Sequence, residues 1–158
     1  MTMFPTPFTG GGNDPNRQWR DERSPDGTWP KALRYGFVLT LVAAVLMLVS
    51  GLFILQYANL DDAPLDIAQT FQTNKWVVGI GNIVLALFMT VAASYLRRGS
   101  RVARRWLSVL LFLAGGLNLA GFVVSVAGLA AIVIIAFVAF AAMFLYRPAA
   151  NEFIRERN

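Results

Sequence analysis

Trp106–Tyr146 reads WLSVLLFLAGGLNLAGFVVSVAGLAAIVIIAFVAFAAMFLY, 41 residues without one Asp, Glu, Lys, Arg or His. As a single α-helix this run would be about 60 Å long, twice the roughly 30 Å hydrocarbon thickness of a bilayer. It must therefore cross twice. The best break is Ser125-Val126-Ala127-Gly128, where small residues and a glycine allow a tight turn. Working outward, Tyr35–Ala58 gives 24 further residues without a charge and Trp76–Leu96 gives 21. Uncharged apolar stretches of about 18 residues or more read as membrane spans. The expected fold is all-α, a four-helix transmembrane bundle with spans near 35–57, 76–96, 106–125 and 129–146. Pro148 follows the last span and stops its helix, because it cannot continue the hydrogen-bond ladder.

Residues 1–34 contain no apolar run and are rich in Gly, Pro, Asn, Asp and Arg, as in Gly10-Gly11-Gly12-Asn13-Asp14-Pro15. They read as a flexible tail, ahead of a transmembrane domain at 35–148 and a short C-terminal tail at 149–158. The first apolar stretch begins too late for a cleaved secretory leader.

Basic residues orient the chain. Arg17, Arg20, Arg23, Lys31 and Arg34 precede the first span; Arg97, Arg98, Arg101, Arg104 and Arg105 follow the second; Arg147, Arg155 and Arg157 follow the fourth. The connection between the first two spans has only Lys75, against Asp61, Asp62 and Asp66. Thirteen of the 14 basic residues thus share one side if both termini are inside. The positive-inside rule then gives a multi-pass plasma-membrane protein with cytoplasmic N- and C-termini.

Composition closes off much chemistry. Without His or Cys, the chain cannot build thiolate, zinc-finger or histidine-ligated haem sites, and no cofactor or metal is expected. The spans also lack the ionisable groups that ion pathways and proton relays require. What remains at membrane depth is mostly Asn, Ser and Thr beside glycine. Asn82 and Asn118 each lie about 10 Å from the outer end of their spans. Gly79, Asn82 and Ala86 follow helical spacing down one face of the second span, continued by Met89 and Ala93. Ala114, Asn118, Gly121 and Ser125 do the same on the third. Small faces let helices approach, and an amide bond across them contributes about 0.6–2 kcal/mol. Helix packing is the expected role of these residues, with a polar ligand pocket as the alternative.

The arginine segment 97–105 contacts anionic headgroups or another protein, since each basic residue at an anionic surface contributes about 1 kcal/mol. A nine-residue loop pinned at both ends to the bilayer is no nucleic-acid reader. Asp61, Asp62 and Asp66 have the chemistry to hold a hard cation. Pro64 and Asp66, however, suit the first turn of a helix, with Leu65, Ala68 and Phe71 along its apolar side, resting on the bilayer surface. Tyr35, Tyr57, Trp76, Tyr95, Trp106 and Tyr146 stand at span ends as interfacial anchors do. Trp19 and Trp29 belong instead to the polar tail, where they suit docking to a partner or to headgroups.

The stretch Tyr95-Leu96-Arg97-Arg98-Gly99-Ser100-Arg101-Val102-Ala103-Arg104-Arg105-Trp106-Leu107 resembles the cytoplasmic loop of small four-span membrane proteins common in actinobacteria. The ending Tyr146-Arg147-Pro148-Ala149-Ala150-Asn151-Glu152-Phe153 is similar to theirs as well. The resemblance carries no catalytic residue. It implies a setting beside larger membrane assemblies, including the respiratory cytochrome supercomplex. The expectation is thus a non-catalytic accessory or assembly subunit of a membrane complex, contacting lipid and other subunits. The alternative is a small transporter or lipid-handling protein acting as an oligomer.

Overall fold

Leu, Ala, Val and Ile dominate the uncharged stretches, and with no water to satisfy backbone groups in hydrocarbon such segments must close their hydrogen bonds within a helix. The structure, a computed structural model, describes residues 30–58 and 64–156. Among them are five helices and no strand: α1 (Lys31–Tyr57), α2 (Leu65–Leu96), α3 (Arg101–Val123), α4 (Leu129–Leu145) and α5 (Pro148–Glu156). Helices α1, α2 and α3 are long and apolar enough to cross a membrane; α4 is a shorter apolar helix of 17 residues. The packing is cyclic. α1 lies against α2 and α4, and α3 lies against the same two.

The interior is built from small and aliphatic side chains. Met47, Met89, Leu107, Leu111, Ile134 and Leu145 fill the half nearer the arginines, with Ala43, Ala86, Ala114 and Ala141 between them. A second cluster of Ile54, Val78, Val126, Ala127 and Ala131 fills the other half. The outer faces carry exposed Phe53, Leu87, Phe88, Phe112, Val123 and Leu129. A soluble monomer rarely leaves so much contiguous apolar surface open to water. The surface suits lipid or a partner.

Several boundaries differ from the expectation, for one physical reason. Loss of charge marks the part of a helix suited to hydrocarbon, not the ends of the helix. Helix α1 starts at Lys31 rather than at Tyr35, and α2 runs unbroken for 32 residues, about 48 Å. The surface helix expected from Pro64 is therefore the first part of α2, with Pro64 as N-cap and Asp66 in the first turn. Asp61 and Asp62 lie outside the described residues, as do Trp19, Trp29 and the tail before Pro30.

The nine-residue arginine loop shrinks to Arg97–Ser100. Ser100 Oγ accepts the Ala103 N–H at 3.3 Å and caps α3, so Arg101, Arg104 and Arg105 are helical. Gly99 completes the turn at φ 75°, a conformation that favours glycine.

The α3–α4 turn falls at Val124–Gly128, yet its left-handed residue is Ser125 at φ 58°, not Gly128 at φ −82°. Ser125 therefore does not belong to the third span's small-residue face, where it was expected: it lies outside the helix and is exposed. With Val126 N–H and Ala127 N–H both donating to the Gly121 carbonyl, the turn is well bonded despite its serine. A left-handed residue with a Cβ costs roughly 1–2 kcal/mol. Ser125→Gly should therefore raise stability by about 1 kcal/mol in thermal unfolding in detergent.

Pro148–Glu156 is helical as well. Pro148 does not merely stop α4, which ends at Leu145; it opens α5, whose Ala149, Ala150 and Ile154 are buried against the bundle. Proline fits the first helical turn because its missing N–H is unneeded there.

Candidate functional site

Asn82 of α2 and Asn118 of α3 meet inside the bundle, both with no exposed surface. Asn118 Nδ2 donates to Asn82 Oδ1 at 2.9 Å and to the Ala114 carbonyl at 2.9 Å. Asn82 Nδ2 donates to Asn118 Oδ1 at the longer distance of 3.5 Å. The pair sits where the two apolar clusters adjoin, between Ala86 and Ala114 on one side and Val78 and Val126 on the other. Neutral amides exchange hydrogen bonds but do not titrate at ordinary pH. The geometry supports helix registration rather than proton chemistry.

The small residues expected near these amides are buried but serve different neighbours. Ala86 and Ala114 line the apolar core. A Cβ on Gly121 would come within 2.9 Å of Val78 Cγ1 of α2, so Gly121 faces the α2–α3 seam. Gly79 instead faces α1, where a Cβ would fall 2.7 Å from Leu55 Cγ. Its counterpart is Gly51, which the sequence reading did not single out. A Cβ there would lie 2.6 Å from the Gly79 carbonyl oxygen, so α1 and α2 touch backbone to backbone. The signal lies in α1 itself: Gly36, Thr40, Ala43, Ala44, Met47 and Gly51 recur at helical spacing and are all buried. Thr40 Oγ1 donates to the Gly36 carbonyl at 2.8 Å, which satisfies the hydroxyl.

At the basic end, the five arginines divide. Arg101 Nη2 donates to the Arg155 carbonyl of α5 at 3.3 Å, and Arg104 hydrogen-bonds Asn151 Oδ1 while its guanidinium lies 5.5 Å from the Tyr146 ring centroid. Tyr146 hydroxyl and Ser108 Oγ share a 2.6 Å bond beneath them. These contacts pin α5 beneath the bundle. Arg98 stands 5.5 Å from the Tyr95 ring centroid, and Arg97, Arg98 and Arg105 are exposed.

The opposite end holds one surprise. Lys75 is only 6% exposed, although it was expected in a solvated connection. The unbroken α2 carries it inward onto the buried face that continues to Val78 and Gly79. Nearby Asp66, Thr70, Phe71, Asn74 and Ser125 line a shallow recess of about 550 Å³. Among the described residues, no group of His, Cys, Asp and Glu is arranged to hold a metal ion. No protein-family model, curated protein or solved structure matches this chain.

Proposed function

We propose that the chain is a four-span, multi-pass membrane protein without catalytic activity, serving as an accessory or assembly subunit of a larger membrane complex. The observation that carries this reading is the state of its buried polar groups. Asn82 and Asn118 bond each other, Asn118 also bonds Ala114, and Thr40 bonds Gly36. The amide pair holds α2 and α3 in register, and groups bonded in this way offer little to a solute, whereas the outer faces remain broadly apolar. The working surface is then the outside of the bundle. Anionic lipid and neighbouring subunits are the partners that such a surface and its arginines suit. A respiratory assembly is the proposed setting, on the resemblance of the Tyr95–Leu107 and Tyr146–Phe153 segments alone. A transporter or lipid carrier working around the two amides has less support, since the amides already occupy each other.

Crosslinking and mass spectrometry in native membranes, with the chain at its natural expression level, tests the proposal. Reproducible crosslinks from the basic end to one set of membrane subunits are expected. A chain that crosslinks only to itself and elutes alone in mild detergent contradicts it.

A further inference from the structure

Between α2 and α3, on the outside of the bundle at its arginine end, runs an apolar groove of about 560 Å³. Its floor is Ala92 and Ala103, both under 10% exposed, and its walls are Phe88, Val91 and Tyr95 on one helix and Val102 and Trp106 on the other. Small residues facing each other beneath large ones leave the cleft open. Its volume falls within the roughly 300–1,000 Å³ of ligand sites. From Phe88 to Tyr95 along α2 the groove runs about 10 Å, most of one leaflet's roughly 15 Å of hydrocarbon. Ser100, at the mouth, and the Tyr95 phenol are the hydroxyl groups of an otherwise apolar and aromatic lining. Apolar side chains make up most of the lining, which suits a hydrocarbon chain better than a polar solute.

Charge gathers at the mouth. Arg98 lies over the Tyr95 ring, so its guanidinium sits at the edge of one wall. Arg105 is exposed beside Trp106 and one turn from Val102, on the other wall's helix. Arg101 and Arg104 are engaged with α5, whereas Arg98 lies over a groove wall and Arg105 is exposed next in sequence to Trp106 of the other.

We infer that this groove binds one anionic glycerophospholipid, with an acyl chain along the Phe88–Tyr95 wall and the phosphate between Arg98 and Arg105. The inference rests on the membrane placement proposed above but not on the accessory role. A tail-shaped apolar slot with two exposed arginines beside its walls matches an anionic lipid better than a second apolar helix, which would leave those charges without a counterpart.

Native mass spectrometry of the chain released from bilayer discs containing equal amounts of phosphatidylglycerol and phosphatidylcholine of identical chains provides the test. One phosphatidylglycerol per chain should be retained over phosphatidylcholine by about 30-fold, the effect of two basic residues at an anionic headgroup. Arg98→Gln with Arg105→Gln, both exposed and harmless to the fold, should abolish the preference. Ala92→Phe should abolish retention itself, and Trp106→Ala should weaken it where the filled groove prevents folding. Equal retention of both lipids, or unchanged retention in the arginine variant, overturns the inference while leaving the membrane placement intact. A lipid-free dimer sensitive to the same substitutions overturns it in favour of a second copy. Failure to enter the discs at all overturns both.

Discussion

Gly51→Ala is expected to destabilise the bundle by about 3 kcal/mol, whereas Gly116→Ala should leave it unchanged or strengthen it by up to about 1 kcal/mol. The chemical change is identical, one methyl group in an apolar helix. The surroundings are not. At Gly51 the methyl would lie 2.6 Å from the Gly79 carbonyl oxygen, 3.0 Å from Ile83 Cγ1 and 3.2 Å from Asn82 Cβ. A backbone carbonyl cannot swing aside as a side chain can, so α1 and α2 must separate along their seam. Loss of that contact reaches Asn82, one of the three atoms' owners, and through it the amide pair. At Gly116 nothing lies within 4 Å, so the methyl meets open space and only the helix-propensity gain remains. Thermal unfolding in mild detergent measures both. Equal effects of the two substitutions would mean that the α1–α2 contact is not as close as the structure has it.

The second large effect concerns the amides. Asn118→Ala should cost about 2–3 kcal/mol and Asn82→Ala about 1–2 kcal/mol. The order follows from the hydrogen bonds. Without Asn118, the amide of Asn82 loses both of its contacts to that side chain. Without Asn82, Asn118 still donates to the Ala114 carbonyl. The double alanine variant should be less destabilised than the two singles combined, by a coupling of about 1 kcal/mol. It should also keep its crosslinked partners, because the amides act inside the bundle. Additive effects would mean that the two groups do not interact. Loss of partners from a single variant that remains folded would instead point to a ligand between α2 and α3.

Much of this architecture was legible because hydrocarbon imposes simple rules on composition. Uncharged runs placed the four apolar helices, and depth along two of them was enough to put Asn82 opposite Asn118. The helix ends were harder to read. Arg101, Arg104 and Arg105 looked like loop because charge leaves the hydrocarbon, yet a capping serine one residue earlier starts α3 in front of them. The same reasoning made residues 65–75 a separate surface helix instead of the start of α2 and hid the burial of Lys75, both of which depend on a helix continuing past its apolar part. Gly51 escaped notice because a glycine's importance lies in what faces it, and Gly79 is 28 positions away in sequence. The turn at Val124–Gly128 misled in the opposite sense. Its glycine marked a tight turn, yet the residue that turns left-handed is Ser125.

The proposed arrangement has four crossings with the arginine-bearing ends together, and α4, at 17 residues, is the crossing least secured by length. Single cysteines placed in this cysteine-free chain at Gln69, Arg98 and Gly128 report on the start of α2 and on the α2–α3 and α3–α4 connections. All three positions are exposed, and Gly128 has open space for a side chain. With an impermeant thiol reagent on intact cells, cysteines at Gln69 and Gly128 should label, while one at Arg98 should label only after lysis. A cysteine at Gly128 that behaves like the one at Arg98 would contradict the account, because α3 and α4 would then not form a crossing pair.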